Sequence, residues 1–254
     1  MNVSFLASLF AAGVLCRAAM ADYASHMAAG DSARAAFDDA TALAHYRAAV
    51  EERPGSYEAS WKAARALLDI GDRLVDKKKR KEHFLQAEEY ARKALSADSS
   101  GDEGFLQHGV ALGRIALDTS AGEKLRFARE IRRSFEKALS LNPENDRAHH
   151  ALGIWYREIA TLGWLEKTFV DMYLGKVSRD EYARKAAAHL EKAVAINPAY
   201  ISHRYELGET LEVLKRPREA VRQYKKALSL PVSDADDADI KAQCRERLSD
   251  LAGE

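Results

Sequence analysis

Residues 135–143 read FEKALSLNP, and close copies of this phrase stand at residues 190–198 (LEKAVAINP) and 224–231 (YKKALSLP). In each copy a bulky residue precedes an alanine by three positions, so the two side chains lie on one face of a helix. The alanine allows a neighbouring helix to approach closely, and the proline that follows ends the helix. Weaker copies end at Pro54 and near Ser99. The chain therefore repeats a helix that packs closely and stops at a fixed place.

A second recurring helix precedes the phrase. Leu152-Gly153 and Leu207-Gly208 place a small residue where two helices can cross. Residues 201–234 form a gapless repeat of 34 residues, the length of a tetratricopeptide (TPR) repeat. The sequence therefore predicts an all-α fold, a TPR-like right-handed α-solenoid of about five helix pairs with inserted helical segments. We expect one domain over residues 22–254, with the best repeats at 102–143, 146–198 and 201–234 and a C-terminal capping helix at 236–251.

Insertions lengthen the earlier repeats. The helix terminators are separated by 45, 44, 55 and 34 residues, and they are Pro54, Ser99, Pro143, Pro198 and Val232. Compared with the TPR length, the first three intervals predict insertions of about 10, 10 and 21 residues. They fall within residues 72–83, 118–129 and 160–182, whose composition favours extended helices or short extra helices. The apolar residues of the third insertion are Leu162, Trp164, Leu165, Phe169, Met172 and Tyr173.

Composition excludes several classes of protein. The 254 residues include 39 basic and 39 acidic side chains, and 47% are hydrophobic. This balance is unlike that of disordered, collagen-like or disulfide-stapled chains. A neutral chain has no field that would concentrate nucleic acid, so we expect no nucleic-acid partner. Known catalytic and phosphate-binding motifs are absent from the sequence, and we expect no enzyme and no cofactor. His149 and His150 point about 100° apart on a helix, so we expect no metal site.

The first residues have the pattern of an export signal. Residues 3–16 are uncharged and mostly apolar, and Arg17 precedes Ala19-Met20-Ala21, which has the small-x-small form of a cleavage site. A helix of this length would span about 21 Å, less than the roughly 30 Å of a bilayer core. We therefore expect residues 1–21 to be a cleaved signal peptide, no stable transmembrane segment, and a periplasmic or secreted protein. An N-terminal membrane anchor is the alternative.

Several segments resemble the regulator of microtubule dynamics family. They are WYREIATLGWLE at residues 155–166, AAHLEKA at 187–193, ALSLPV at 227–232 and WKAARA at 61–66. The resemblance covers roughly residues 30–251 and implies a TPR-like helical domain without enzymatic activity. It also implies an association with microtubules, or with mitochondrial and endoplasmic-reticulum membranes, and binding of partners and lipids by the TPR module. This chain departs from the animal members at its start, where the apparent signal replaces an anchor or cytosolic leader.

The concave face of a TPR array is lined by its first helices. The repeat positions predict a groove lined by Trp61, Arg65, Leu106, Val110, Arg114, His150, Ile154, Arg157, Tyr205 and Glu209. Apolar surface with three arginines suits an extended peptide or an amphiphile with an anionic end. The leading function is an exported, non-catalytic scaffold that binds a protein or peptide. The alternatives are a lipid or amphiphile carrier, and a microtubule-associated regulator if the chain is intracellular. Trp61, Leu106 and Ile154 could instead belong to the core, where we also expect Trp155 and Trp164.

Charge is concentrated at two places outside this groove. A basic segment of five consecutive residues consists of Lys77, Lys78, Lys79, Arg80 and Lys81. It is either a solvated helix face or a contact for an anionic membrane or polyanion. The acidic run at residues 234–239 would favour the start of the last helix through the helix dipole.

Overall fold

The computed structural model describes residues 22–117, 119, 121–163 and 178–253, with the backbone alone at 121, 122 and 125. These residues form helices and connecting turns, and none of them lies in a β-strand. The helices are α1 (22–35), α2 (Asp39–Glu52), α3 (Tyr57–Arg73), α4 (Lys77–Ala97), α5 (Asp102–Ala116), α6 (Ala121–Leu141), α7 (Asp146–Thr161), α8 (Arg179–Ile196), α9 (Ile201–Val213), α10 (Pro217–Ser229) and α11 (Asp237–Gly253). Five consecutive pairs and a last helix confirm the predicted all-α TPR-like fold.

The helix boundaries follow from local sequence. Ser56 and Asn145 cap α3 and α7, because each side chain accepts a hydrogen bond from a backbone N–H three residues later, at 3.2 Å and 2.8 Å. The helices α2, α6, α8 and α10 each end two residues before a proline, as predicted. Pro217 instead occupies the first turn of α10, where its missing N–H costs no hydrogen bond.

The described residues form two compact units, which divide between Ala111 and Leu112. In the first unit, α2 packs on α3 and α3 packs on α4. Its core combines many alanines with the rings of Tyr46 and Phe84, which are almost completely buried. The alanines of α3 keep these helices close, because their side chains add little thickness between two backbones.

In the second unit, α7 packs on α8 and α9 packs on α10, while α11 covers α9 and α10. The predicted small residues lie at the helix crossings. A Cβ atom at Gly153 would be 2.7 Å from Cγ of Leu190, and one at Gly208 would be 2.3 Å from Cε1 of Tyr224. Cys244 on α11 is completely buried against this core.

The insertions lengthen existing helices. The helices α4 and α6 have 21 residues each, against 13 in α10 of the uninterrupted repeat. Extended helices, the first of the two predicted alternatives, therefore account for the first two insertions. Most of the third insertion, including Trp164, lies outside the described residues. No helix in the described ranges combines the length and apolar character needed to cross a membrane.

Candidate functional site

Four of the predicted groove residues lie in the first unit. Trp61 and Arg65 are one turn apart on α3, and both are half-buried. The Nε atom of Arg65 lies 3.9 Å from Oδ2 of Asp69, so its charge is partly compensated within the same helix. Val110 on α5 is half-buried, whereas Leu106 is only 1% exposed. Leu106 therefore belongs to the core of this unit, and no ligand can reach it in this structure.

The other six groove residues lie in the second unit. Arg114 is half-buried near the end of α5. His150, Ile154 and Arg157 come from successive turns of α7, and Tyr205 and Glu209 are one turn apart on α9. The helices α7 and α9 contact each other, and Glu209 lies within hydrogen-bond distance of both Arg157 and Tyr205. We call this surface, with Glu158 and Glu206 beside it, the α7–α9 strip.

Arg157 is the centre of the α7–α9 strip and is already paired. Its Nη1 atom lies 2.6 Å from Oε2 of Glu206 and 2.9 Å from Oε2 of Glu209. Its Nη2 atom lies 3.5 Å from Oε1 of Glu158. Burial alone would lower the pKa of Arg157, but the neighbouring carboxylates outweigh burial and raise it. One guanidinium thus faces three carboxylates, and Arg157 offers no spare charge to an anionic ligand.

The carboxylates differ in their exposure and environment. The side chain of Glu206 is 16% exposed, and its burial raises its pKa although Arg157 acts in the opposite direction. The Glu209 carboxylate is more accessible, and it accepts a hydrogen bond of 3.0 Å from the Tyr205 hydroxyl. Glu158 is the most exposed of the three. The accessible edge of the strip is therefore acidic and includes the phenol ring of Tyr205.

A histidine pair extends this polar contact towards the start of α7. The Nδ1 atoms of His150 and His203 are 3.0 Å apart, a distance at which one ring N–H donates to the other nitrogen. The Nε2 atom of His203 lies 3.0 Å from Oδ2 of Asp146. Burial tends to raise the pKa of Asp146, but hydrogen bonds from His203 and Asn197 lower it to about 2. This arrangement holds α9 against the first turns of α7.

His149 makes a separate pair with the neighbouring helix α8. Its Nδ1 atom lies 2.9 Å from Nδ1 of His189. Burial lowers the pKa of His189 to about 4, with His149 adding to the effect. The two adjacent histidines of α7 therefore serve two different helix contacts. The described residues contain no group of three or more His, Cys, Asp or Glu arranged to hold a metal ion.

Sequence reasoning missed His203, Asp146, His189 and Glu206. No local motif marks them, because each acts on a residue about 40 to 57 positions away. The useful signal was geometric, since His149 and His150 were expected to point in different directions. Each direction leads to a histidine on a neighbouring helix.

The predicted charge clusters are at the starts of two helices. Lys77, Lys78 and Lys79 form the exposed first turn of α4. Asp237 begins α11 and is buried, and its Oδ2 atom accepts backbone hydrogen bonds from Ser233 and Asp234 at 2.7 Å and 2.8 Å. Asp237 thus closes the preceding turn in addition to its position at the helix N-terminus.

Comparison with known proteins gives one matching family. The sequence model of the family described as regulator of microtubule dynamics protein 1-3 matches residues 24–252 of this chain. The chain is 26% identical to regulator of microtubule dynamics protein 1 of Rattus norvegicus over 193 residues, covering 75% of this chain and 62% of that protein. It is 28% identical to regulator of microtubule dynamics protein 3 of Mus musculus over 164 residues, covering 61% and 34%. The chain therefore spans less than two thirds of the length of these relatives.

Solved structures of similar fold include bacterial proteins. A thermophilic TPR protein of Thermus thermophilus has a TM-score of 0.65 and 20% identity, covering 89% of this chain and 99% of that one. The PilF protein of Pseudomonas aeruginosa has a TM-score of 0.54 and 17% identity, covering 92% and 93%. At such identities the likeness shows the fold alone.

Proposed function

Because this chain belongs to the regulator of microtubule dynamics family, we propose that it is a non-catalytic TPR scaffold that binds a protein or peptide partner. The α7–α9 strip is the part of the predicted groove that carries this proposal. It joins first helices of two consecutive repeats, which is where TPR proteins hold extended segments of their partners. Its half-buried Ile154 and Tyr205 offer apolar contact between ordered polar groups.

The charge of the α7–α9 strip defines the kind of peptide that it fits. Arg157 is compensated by Glu206 and Glu209, and Glu158 adds a further exposed negative charge. A partner with an anionic end would meet carboxylates, contrary to the expectation based on three groove arginines. A segment with alternating apolar and basic side chains complements both the apolar residues and the acidic edge.

Fluorescence anisotropy with two labelled peptides tests this proposal. One alternates lysine and leucine, and the other alternates glutamate and leucine. We expect the lysine peptide to bind and Glu158→Lys to weaken that binding about tenfold. Glu246→Lys on the exposed face of α11 is the matched control and should change nothing. Equal binding of the two peptides, or binding of neither, would contradict the proposal.

Export is a separate part of the proposed function. Residues 1–21 lie outside the described part of the chain, and the signal-like pattern of the sequence supports cleavage after Ala21. N-terminal sequencing of the protein made in its own cell tests this directly. A mature chain that begins at Asp22 supports a periplasmic or secreted scaffold, and an intact Met1 contradicts it.

Regulation of microtubules is a second candidate, favoured by the names of the relatives. It requires that the chain remain inside a eukaryotic cell. Co-sedimentation with polymerised tubulin tests it, and a protein that stays in the supernatant excludes it. Native mass spectrometry of the same preparation distinguishes the amphiphile carrier, which would retain a bound lipid.

A further inference from the structure

Two inter-helix turns lie side by side at one end of the first unit. One turn, residues 36–38, joins α1 to α2, and the other, residues 74–76, joins α3 to α4. Asp39 at the start of α2 forms an ion pair with Arg73 at the end of α3. Arg34 near the end of α1 reaches Asp69 on α3 at 2.6 Å and Asp39 at 3.3 Å. These contacts fix the two turns next to each other, and their two arginines and two aspartates compensate one another.

Each of these turns exposes a large apolar side chain. Val75 is 95% exposed, and Phe37 is 44% exposed. Phe37 has a φ of 63°, in the left-handed region where a bulky residue is rare. Val75 contributes almost no burial to the core, and Phe37 leaves nearly half of its surface in solvent, so the packing of the unit does not fully explain why the turns carry them. We call Phe37 and Val75 the apolar tips.

The basic segment begins two residues after Val75. Lys77, Lys78, Lys79 and Lys81 are exposed, and within the described part of the chain none of them has a carboxylate oxygen within 4 Å. The acidic residues that flank the turns are engaged elsewhere. Asp38 accepts hydrogen bonds from Thr41, and Asp76 caps the first turn of α4. Within that part of the chain, the four lysines that follow Val75 thus remain unpaired.

Some lysines elsewhere in the described residues are paired, whereas Lys215, Lys225 and Lys226 lack a carboxylate oxygen within 4 Å as the basic segment does. Paired lysines have a carboxylate oxygen at 2.7 Å to 2.9 Å, and they are Lys62, Lys93, Lys185 and Lys192. The basic segment also occupies the N-terminal turn of α4, where positive charge is unfavourable beside the helix dipole. This position gives Lys77, Lys78 and Lys79 neither a carboxylate partner nor a favourable interaction with the helix dipole, and a role outside the fold would account for them.

We propose that this end of the first unit docks on an anionic membrane surface. The apolar tips enter the interfacial layer, and the four lysines contact lipid phosphates around them. Each lysine close to such a surface raises the partition coefficient about fivefold. A soluble polyanion would use the lysines but would leave Phe37 and Val75 in water, whereas a membrane uses both features. This surface lies in the first unit and does not depend on the α7–α9 strip.

A local probe tests insertion of a tip in the full chain. An environment-sensitive fluorophore is attached to Val75→Cys in a Cys16→Ser background, where the remaining Cys244 is buried. We expect a blue shift with phosphatidylglycerol-containing vesicles and none with pure phosphatidylcholine vesicles. The same label at Val232→Cys, another exposed valine, is the control and should not shift. Because the probe reports on one position, binding through residues 3–16 does not imitate the result.

A pair of charge variants tests the electrostatic part. Vesicle flotation compares Lys77→Gln/Lys78→Gln with Lys225→Gln/Lys226→Gln, which removes two exposed lysines of α10. The first double variant should lose about twenty-five-fold in partition to anionic vesicles, and the second should lose little. Equal losses in the two double variants would overturn membrane docking. A label at position 75 that stays in water, while the soluble polyanion heparin binds the lysines, would overturn it as well.

Discussion

Substitution of Gly208 by alanine tests the close helix crossing on which the last repeat depends. The added Cβ atom would be 2.3 Å, 2.7 Å and 2.9 Å from three ring atoms of Tyr224. That ring is completely buried, and its hydroxyl donates a hydrogen bond to Glu212. The ring would have to retreat by about 1 Å to reach ordinary contact, which overpacks the core at a cost of about 1–3 kcal/mol.

Two further effects set the net result. Alanine improves helix propensity by about 1 kcal/mol over glycine, which opposes the loss. Displacement of the Tyr224 hydroxyl from Glu212 would cost about another 1.5 kcal/mol. We therefore expect Gly208→Ala to lower the free energy of unfolding by about 2 kcal/mol. In a protein of this size that corresponds to roughly 4–8 °C in Tm.

Gly113→Ala is the matched control within the same unit. A Cβ atom at Gly113 on α5 would meet no heavy atom of the described structure within 4 Å. The same substitution should therefore raise the free energy of unfolding, by about 0.5–1 kcal/mol. Urea and thermal unfolding followed by circular dichroism measure both variants. A Gly208→Ala protein as stable as the Gly113→Ala protein would refute the close-crossing argument.

Three other predictions concern buried polar groups. The pKa of His189 falls to about 4 in the folded protein, from its ordinary value of about 6.5. As the pH falls below about 6.5, the unfolded chain therefore binds more protons than the folded chain. The contribution of His189 to the free energy of unfolding should be complete above about pH 6.5 and should be lost as the pH falls to about 4. The urea midpoint of His189→Gln should therefore depend less on pH than that of the unchanged protein. Arg157→Leu should lower the free energy of unfolding by about 3–5 kcal/mol, because it leaves Glu206 buried and unpaired. In urea titrations the double variant Arg157→Leu/Glu206→Leu should recover most of this loss. Burial raises the pKa of Cys244 to about 11, so a thiol reagent at pH 8 should react with a Cys16→Ser chain only in urea; rapid labelling of the folded protein would contradict this.

Much of the fold could be predicted because its determinants are local. The prolines end helices wherever they stand, and a glycine such as Gly153 leaves room for a crossing helix regardless of distant residues. The lengths of α4 and α6 were open at the level of sequence, because a helical composition is compatible with either one long helix or two short helices. Packing against α3 and α7 accompanies the long form in the structure.

The candidate site could be predicted only in part. Repeat positions assigned Arg157, Tyr205 and Glu209 to one predicted surface, and in the structure Glu209 lies beside both Arg157 and Tyr205. They did not reveal that Leu106 is buried, because burial depends on which helices cover a position.

The sequence by itself determined where four helices end before a proline and where helices can cross at a glycine, because prolines and small residues act within one or two turns. Only the tertiary structure decided the charge that a partner meets. Glu206 lies 49 residues from Arg157 along the chain, yet it is 2.6 Å away in space. The tertiary structure also brought the turn that carries Phe37 near the turn that carries Val75, because the ion pair of Asp39 and Arg73 joins segments that are far apart in sequence. Electrostatic and interfacial properties depend on distance in space, and folding alone sets that distance.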